Sequence, residues 1–220
     1  MQILFVSLIF IVSTVIIVLA IRFSPKNRML RNLKETKAKP VSSIQSGNYE
    51  KIIGKALFVK EPMTAPISGR TCVFYHAEVL QKRGKRWDII IDDKQTTNFF
   101  LDCKGEMVII KTDESPSYYE VILDKDHKTS SGFLKDAPMR LENYLKRYGK
   151  ESTNFLGMNR LIKYREGVIE TNERIVVKGI AEWKELKEPI AGYNYSKILT
   201  FKGSDTQKLY ITDLKEAFKE

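Results

Sequence analysis

The sequence predicts an α+β domain that is predominantly β, a curled antiparallel sheet or small barrel with one amphipathic helix, preceded by a single transmembrane helix. Three observations predict it. Met1 to Ile21 contains no charged residue. Residues 49 to 212 form a succession of short segments rich in β-branched and aromatic residues, bounded by Gly, Pro, Asn and Asp. Within them, Leu141, Tyr144, Leu145 and Tyr148 alone carry a clear i, i+3, i+4, i+7 pattern behind Pro138 and before Gly149.

The apolar run of residues 1–21 makes a helix of roughly 30 Å, enough to cross a bilayer's hydrocarbon. Its polar members include Ser7, Ser13 and Thr14, whose hydroxyls can return a hydrogen bond to the preceding turn. A cleaved signal peptide fits less well. The first five residues hold no Lys or Arg, the run is long for an h-region, and no small-x-small site precedes Arg22.

Arg22, Lys26, Arg28, Arg31, Lys34, Lys37 and Lys39 follow, with only Glu35 against them. The positive-inside bias therefore puts the N-terminus outside and the C-terminal domain in the cytoplasm. Residues 22–48 read as a basic juxtamembrane stalk: a helix continuing the anchor through Met29 to Lys37, then a break at Pro40 and the serines after it. Arg22, Lys26, Arg28, Arg31 and Lys34 are the expected lipid contacts, each worth about 1 kcal/mol beside anionic headgroups. This flank carries +6 of the chain's formal +10. The basic balance is thereby accounted for without nucleic acid, for which no compact basic and aromatic surface is legible.

The domain is expected over residues 49–212, with 213–220 as a short helical tail. A first strand runs from Tyr49 to Val59, with Gly54 permitting close backbone approach. Pro62, Pro66 and Gly69 then make a turn. Thr71 to Leu80 alternates, placing Val73, Tyr75, Ala77 and Val79 on a core face opposite Cys72, Phe74, His76 and Glu78. Gly84 marks a basic hairpin returning from Trp87. Strands are expected at Thr96 to Asp102, Glu106 to Lys111 and Tyr118 to Leu123, and Asp124 to Asp136 as a mobile loop. Arg140, Lys146 and Arg147 fall on the solvent side of the amphipathic helix. Leu161 to Ile169 and Arg174 to Trp183 read as a hairpin turning at 170–173, and Leu199 to Lys202 and Lys208 to Ile211 close the domain.

No reactive constellation emerges. Cys72 and His76 share a strand face but lie roughly 13 Å apart along it, beyond proton-transfer reach. Asp92, Asp93, Asp102, Glu106 and Asp113 sit at strand ends, where turns and solvent account for them. Asp124-Lys-Asp126-His127 lacks the further ligands a metal needs. Two cysteines and two histidines exclude a four-cysteine zinc site, and the cysteines read as reduced core residues. No Gly-rich phosphate cradle is present, so neither cofactor nor metal is expected.

Gly54-Lys-Ala56, Met63-Thr-Ala-Pro-Ile-Ser-Gly69 with Ala65 and Pro66 at its centre, Cys72-Val-Phe-Tyr75, Arg165-Glu166 and the Ile175-to-Gly179 strand occur in this order. On these pieces residues 50–212 resemble the GIDE domain, also called BAM, of mitochondrial and chloroplast outer-membrane RING ubiquitin ligases and of bacterial membrane proteins. The resemblance implies substrate or partner recognition, and membership in a bacterial type lacking the RING and second span. It marks Gly54, Ala65, Pro66, Gly69, Cys72, Tyr75, Glu166 and Gly179 as the fold or interaction motif. Asn172-Glu173 departs from the Gly-Glu that the family usually carries. Four Cys and His side chains cannot supply a RING's two zinc sites, so ligase activity and organelle organisation describe relatives.

The expected function is a non-catalytic, membrane-anchored interaction domain positioning a protein partner at the cytoplasmic membrane face, in contact with membrane lipids and not with nucleic acid. The alternatives are an accessory component of a ubiquitin-like transfer system and a membrane-bound hydrolase.

Overall fold

The computed structural model describes residues 2–59, 61–186 and 196–219, with side chains from Phe10 onward. Met1 of the expected anchor and Glu220 of the expected tail lie outside them. Helix α1, Gln2–Arg22, carries the apolar run. Ser13 and Thr14 donate to the Phe10 carbonyl at 2.9 and 2.8 Å, satisfying their hydroxyls within the helix. Phe10, Ile16 and Ile17 are more than half exposed. Among the described residues, nothing covers the part of this rod from Phe10 onward.

The expected continuous helix is interrupted. Ser24 caps a new helix by accepting from the Asn27 N–H, and Pro25 opens α2, Pro25–Lys34. A proline within an unbroken helix would clash with the carbonyl four residues back, whereas at a first turn it is preorganised. Counting residues with described side chains, no single helix is long and apolar enough to cross a membrane; Phe10–Arg22 and Pro25–Lys34, bent by 56°, pass together by length and composition. Packing separates their roles. Met29 and Leu33 of α2 are fully buried and Leu30 nearly so, against Val176, Tyr210, Leu214 and Ala217. Val41 and Ile44 are buried as well. The stretch read as a stalk is thus docked on the domain, because its apolar residues fall on one helical face.

The strands are β1 Tyr49–Phe58, β2 Met63–Thr64, β3 Thr71–Arg83, β4 Arg86–Thr96, β5 Phe99–Cys103, β6 Glu106–Ile110, β7 Tyr119–Ile122, β8 His127–Ser131, β9 Ile162–Glu170, β10 Arg174–Glu185, β11 Lys197–Lys202 and β12 Leu209–Thr212. Helix α3, Met139–Arg147, falls between β8 and β9. In one sheet, β1, β5, β6, β11 and β10 pair in order and β10 pairs back to β1, closing a ring that β12 and β7 extend. The expected barrel is present. Two of its pairings, β11 with β6 and β12 with β7, are parallel. Ile52, Leu101, Val108, Val177 and Phe201 fill its core, as in small barrels closed by side chains.

The second sheet has the order β2-β3-β9-β8, with β4 also on β3. Leu141, Tyr144 and Leu145 of α3 pack on it with Ala77, Val79, Ile162 and Tyr164. The amphipathic helix stands as expected.

Three local expectations change. First, β9 and β10 do not form a hairpin. They belong to different sheets, and the turn between them, with Asn172 at φ +68°, bonds to β1 through Ala56. Second, the stretch expected as a mobile loop contains β8, an edge strand whose polar residues hide it from a hydrophobic pattern. Third, a bulge shifts the register of β3 against β9 between Cys72 and Phe74. Val73 and Phe74 therefore both enter the barrel core, while Cys72 packs beside Ala65 and Val168.

Gly54 lies where a Cβ would stand 2.6 Å from the Asp102 carbonyl oxygen and 2.7 Å from Leu101 Cγ. Gly54→Ala should destabilise the domain by about 1–3 kcal/mol through this overpacking, read as a lowered urea midpoint in detergent. Leu33→Ala should cost about 2–5 kcal/mol if α2 is integral to the domain. An unchanged midpoint would return it to the status of a stalk.

Candidate functional site

Between β2 and β3 the chain turns tightly: Ala65 N–H donates to Arg70 O and Gly69 N–H to Ala65 O, each at 2.9 Å. Gly69 has φ +79°, and a Cβ on it would collide with the Arg140 guanidinium. Pro66 occupies the bend and fixes one of its φ angles. The turn is held from β9. Glu166 is completely buried, and its carboxylate accepts from Ile67 N–H at 2.8 Å and Ser68 N–H at 2.9 Å. Two charge-assisted bonds offset the desolvation of this carboxylate.

The structure brings most of the motif together at this clasp. Ala65 and Cys72 are buried side by side, with Tyr75 partly buried against them, and the Tyr75 hydroxyl donates to Asp93 at 3.1 Å, as Tyr144 also does. Gly54 and Gly179 stand apart from it, in the barrel wall. A Cβ on Gly179 would approach Leu209 Cδ1 to 2.7 Å and Lys202 O to 2.9 Å. The motif residues therefore set backbone approach and loop shape.

Arg70 leaves the turn toward a cleft of about 600 Å³. Its guanidinium binds Asp126 bidentately at 2.7 and 2.9 Å and Glu170 at 3.0 Å. Asp124, Glu173 and Asp213 continue the wall, and Lys26, Lys215 and Lys219 also line it. Burial pushes Glu173 from 4.5 up to about 7, with Asp213, Glu170 and Asp126 adding repulsion. Burial likewise raises Asp213 from 3.8 to about 6, although it accepts from Asp124 N–H at 2.9 Å. Arg70 faces Asp126 and Glu170, so these two carboxyls receive no such neutralisation.

On the sheet face opposite α3, His76 Nε2 lies 2.6 Å from Asp92 and 3.7 Å from Glu78, whose other oxygen meets Lys125 Nζ at 2.5 Å. These three are a group among the described residues with metal-ligand spacing. Lys125 already neutralises Glu78, however. Burial, then Lys125, lowers the His76 pKa. Burial pushes Asp92 up, but the bond to His76 and the charge of Lys94 outweigh it and hold the carboxyl below its usual range. Charge pairing within the chain accounts for the arrangement.

Burial keeps both cysteines in the thiol form near neutral pH. Both are free; burial, then Glu166, raises Cys72 to about 11, and burial raises Cys103 to about 12. His127 pairs across the sheet with Glu166.

Of the expected lipid contacts, Lys26 pairs with Glu216 at 3.4 Å and Arg28 with Glu120 at 3.0 Å. Arg31 donates to the Arg22 carbonyl at 2.5 Å and stacks over Phe23. Lys34 closes the last turn of α2. Lys26 and Arg28 remain largely exposed, but both also brace α2 on the domain.

Sequence reasoning missed Arg70, Glu173 and Asp213. The legible signal was a charge within an apolar strand pattern: Glu166 before Val168 and Ile169 in β9, and Glu78 between Ala77 and Val79 in β3. Comparison with known proteins finds no family model, no curated protein and no solved structure that matches this chain.

Glu166→Ala should cost about 2–5 kcal/mol by orphaning two buried donors, read as a lower melting temperature and faster proteolysis near residue 68. Glu173 and Asp213 hold protons more tightly when folded. Their stabilisation is complete below their unfolded values of 4.5 and 3.8 and is lost as pH rises through about 7 and about 6 respectively. The melting temperature should fall between pH 5 and pH 8, and Glu173→Gln should flatten that fall.

Proposed function

We propose that this chain is a non-catalytic, single-pass membrane protein of the GIDE kind, whose β-rich domain binds a protein partner at the cytoplasmic membrane face. The observation that carries the reading is the contrast between two consecutive helices. The apolar side chains of α1 from Phe10 onward have no cover among the described residues, whereas α2 is buried on the barrel through Met29 and Leu33. An apolar rod held by a docked helix ties the domain to whatever receives the rod, and a bilayer suits it in composition. Confinement at the surface raises the effective concentration of a weakly bound partner. The basic flank supports the cytoplasmic orientation.

The hydrolase reading draws on a specific observation, the cleft in which Glu173 is raised to about 7, where a carboxyl can exchange a proton near neutral pH. Hydrolysis of a screened ester or peptide that disappears in Glu173→Gln would favour it over partner binding.

The full chain should resist carbonate extraction from membranes, while deletion of residues 1–21 releases it. Crosslinking in native membranes should recover one partner that is lost when Glu166→Ala loosens the clasp. Extraction of the intact chain by carbonate would end the anchored reading, and full recovery without the clasp would detach the partner from this site.

A further inference from the structure

At the end of the second sheet where β9 begins, two loops carry apolar side chains into solvent. Phe133 and Leu134 are 84% and 90% exposed on one tip; Phe155, Leu156 and Met158 are 93%, 65% and 56% exposed on the other. The tips are fixed to each other. Asn159 donates to Asp136 at 2.7 Å, and the Leu161 side chain lies over Gly132. Leu134 also occupies the left-handed region at φ +60°, which leucine rarely adopts and which holds its side chain at the tip of its turn.

The β3–β4 hairpin ends beside them, since Lys82 N–H donates to Leu161 O at 2.9 Å. Its Lys82-Arg-Gly-Lys-Arg86 sequence puts four exposed cations in five positions. Arg83 stands 3.8 Å from Asp88. Lys135 adds an exposed charge next to Leu134.

This end is remote from the anchor. β9 runs eight residue steps from Ile162 to Glu170, about 26 Å, and Glu170 shares its cleft with Lys26 at the start of α2.

We infer that the paired tips and their basic hairpin dock onto an anionic bilayer surface other than the one that receives α1. Apolar groups carried on two narrow turns offer a protein neither groove nor flat face. They can enter a headgroup layer without a complementary shape, while the cations beside them meet anionic lipid. The separation of the tips from the start of α2 along β9 directs the contact away from the anchoring surface. That direction rests on the anchored reading; the lipid docking itself does not.

The test uses full chain reconstituted in phosphatidylcholine vesicles, mixed with labelled vesicles containing about 30% phosphatidylglycerol to supply the anionic surface. Docking of the labelled vesicles is expected, absent when they are pure phosphatidylcholine, and weakened at about 1 M salt, where the Debye length falls to about 3 Å. Phe133→Ser/Leu134→Ser/Phe155→Ser should reduce docking about ten-fold or more. These positions are exposed, and an unchanged melting temperature verifies the fold. Arg83→Glu/Arg86→Glu should also abolish docking with the tips intact. Carbonate resistance of the same proteoliposomes reports the anchor separately.

Absence of docking, or equal docking by the triple variant, overturns the inference. So does tip-dependent binding only when phosphatidylglycerol is in the protein's own bilayer, and so does a crosslinked protein that disappears in the triple variant while vesicle docking is unchanged.

Discussion

Strand β10 pairs with β1 along one edge and with β12 and β11 along the other, and the rest of the molecule is arranged around that double pairing. Closing the ring through β10 leaves no barrel edge between β1 and β11, and gives the strand an inner and an outer face. Ile175 and Val177 point into the barrel core, while Val176 lies under α2. A strand apolar on both faces needs cover on both. The outer cover is the helix that follows the apolar rod, so the closure that stabilises the domain also fixes where the rod emerges. Lys178, on the outer parity, donates to Asn32 O and Oδ1 at 2.9 and 2.7 Å, joining α2 to the strand by polar contacts as well.

The second sheet is joined to this barrel at one end. The β3 bulge sends both Val73 and Phe74 into the barrel core, and Ile169 of β9 joins them. Beyond that junction the sheet has its own core under α3, and Glu166 holds the 65–70 turn. The carboxylates divide by environment. Glu166 is satisfied by backbone donors, and Glu78 and Asp92 by neighbouring cations or His76. Glu173 and Asp213 also accept backbone bonds, yet burial and surrounding acids raise their pKa values. The two carboxyls with raised pKa values therefore share one cleft, next to the helix that follows the apolar rod.

Much of the fold was legible because its elements carry local signals. Lys104-Gly105, with φ +60° and +92°, joins β5 to β6 between the two strands expected there, and α3 follows its apolar spacing. The failures share a cause. A β9–β10 hairpin is the economical reading of two strands joined by a short turn, yet Asn172 and Glu173 bond to Ala56 and direct the strands into different sheets. The parity of β3 fails because Val73 is inserted opposite β9, a change in partner count without its own sequence mark. Strand β8 is held by β9 rather than by its own apolar face. The candidate site was legible as a motif only; its cleft was not, because Arg70, Asp126, Glu173 and Asp213 meet from four separate stretches.

The sequence by itself determined a charge-free apolar rod, a basic flank, a β-rich remainder and the absence of enough Cys and His for a RING, since each follows from composition or short-range periodicity. Tertiary structure alone decided that the ring closes, that the flank docks instead of hanging free, that Glu166 serves as a clasp, and which carboxyls burial raises. Those outcomes depend on which distant segments share an edge or exclude water from the same space. Pairing energy and desolvation act between neighbours in space, and nothing local in the chain encodes which neighbours those are.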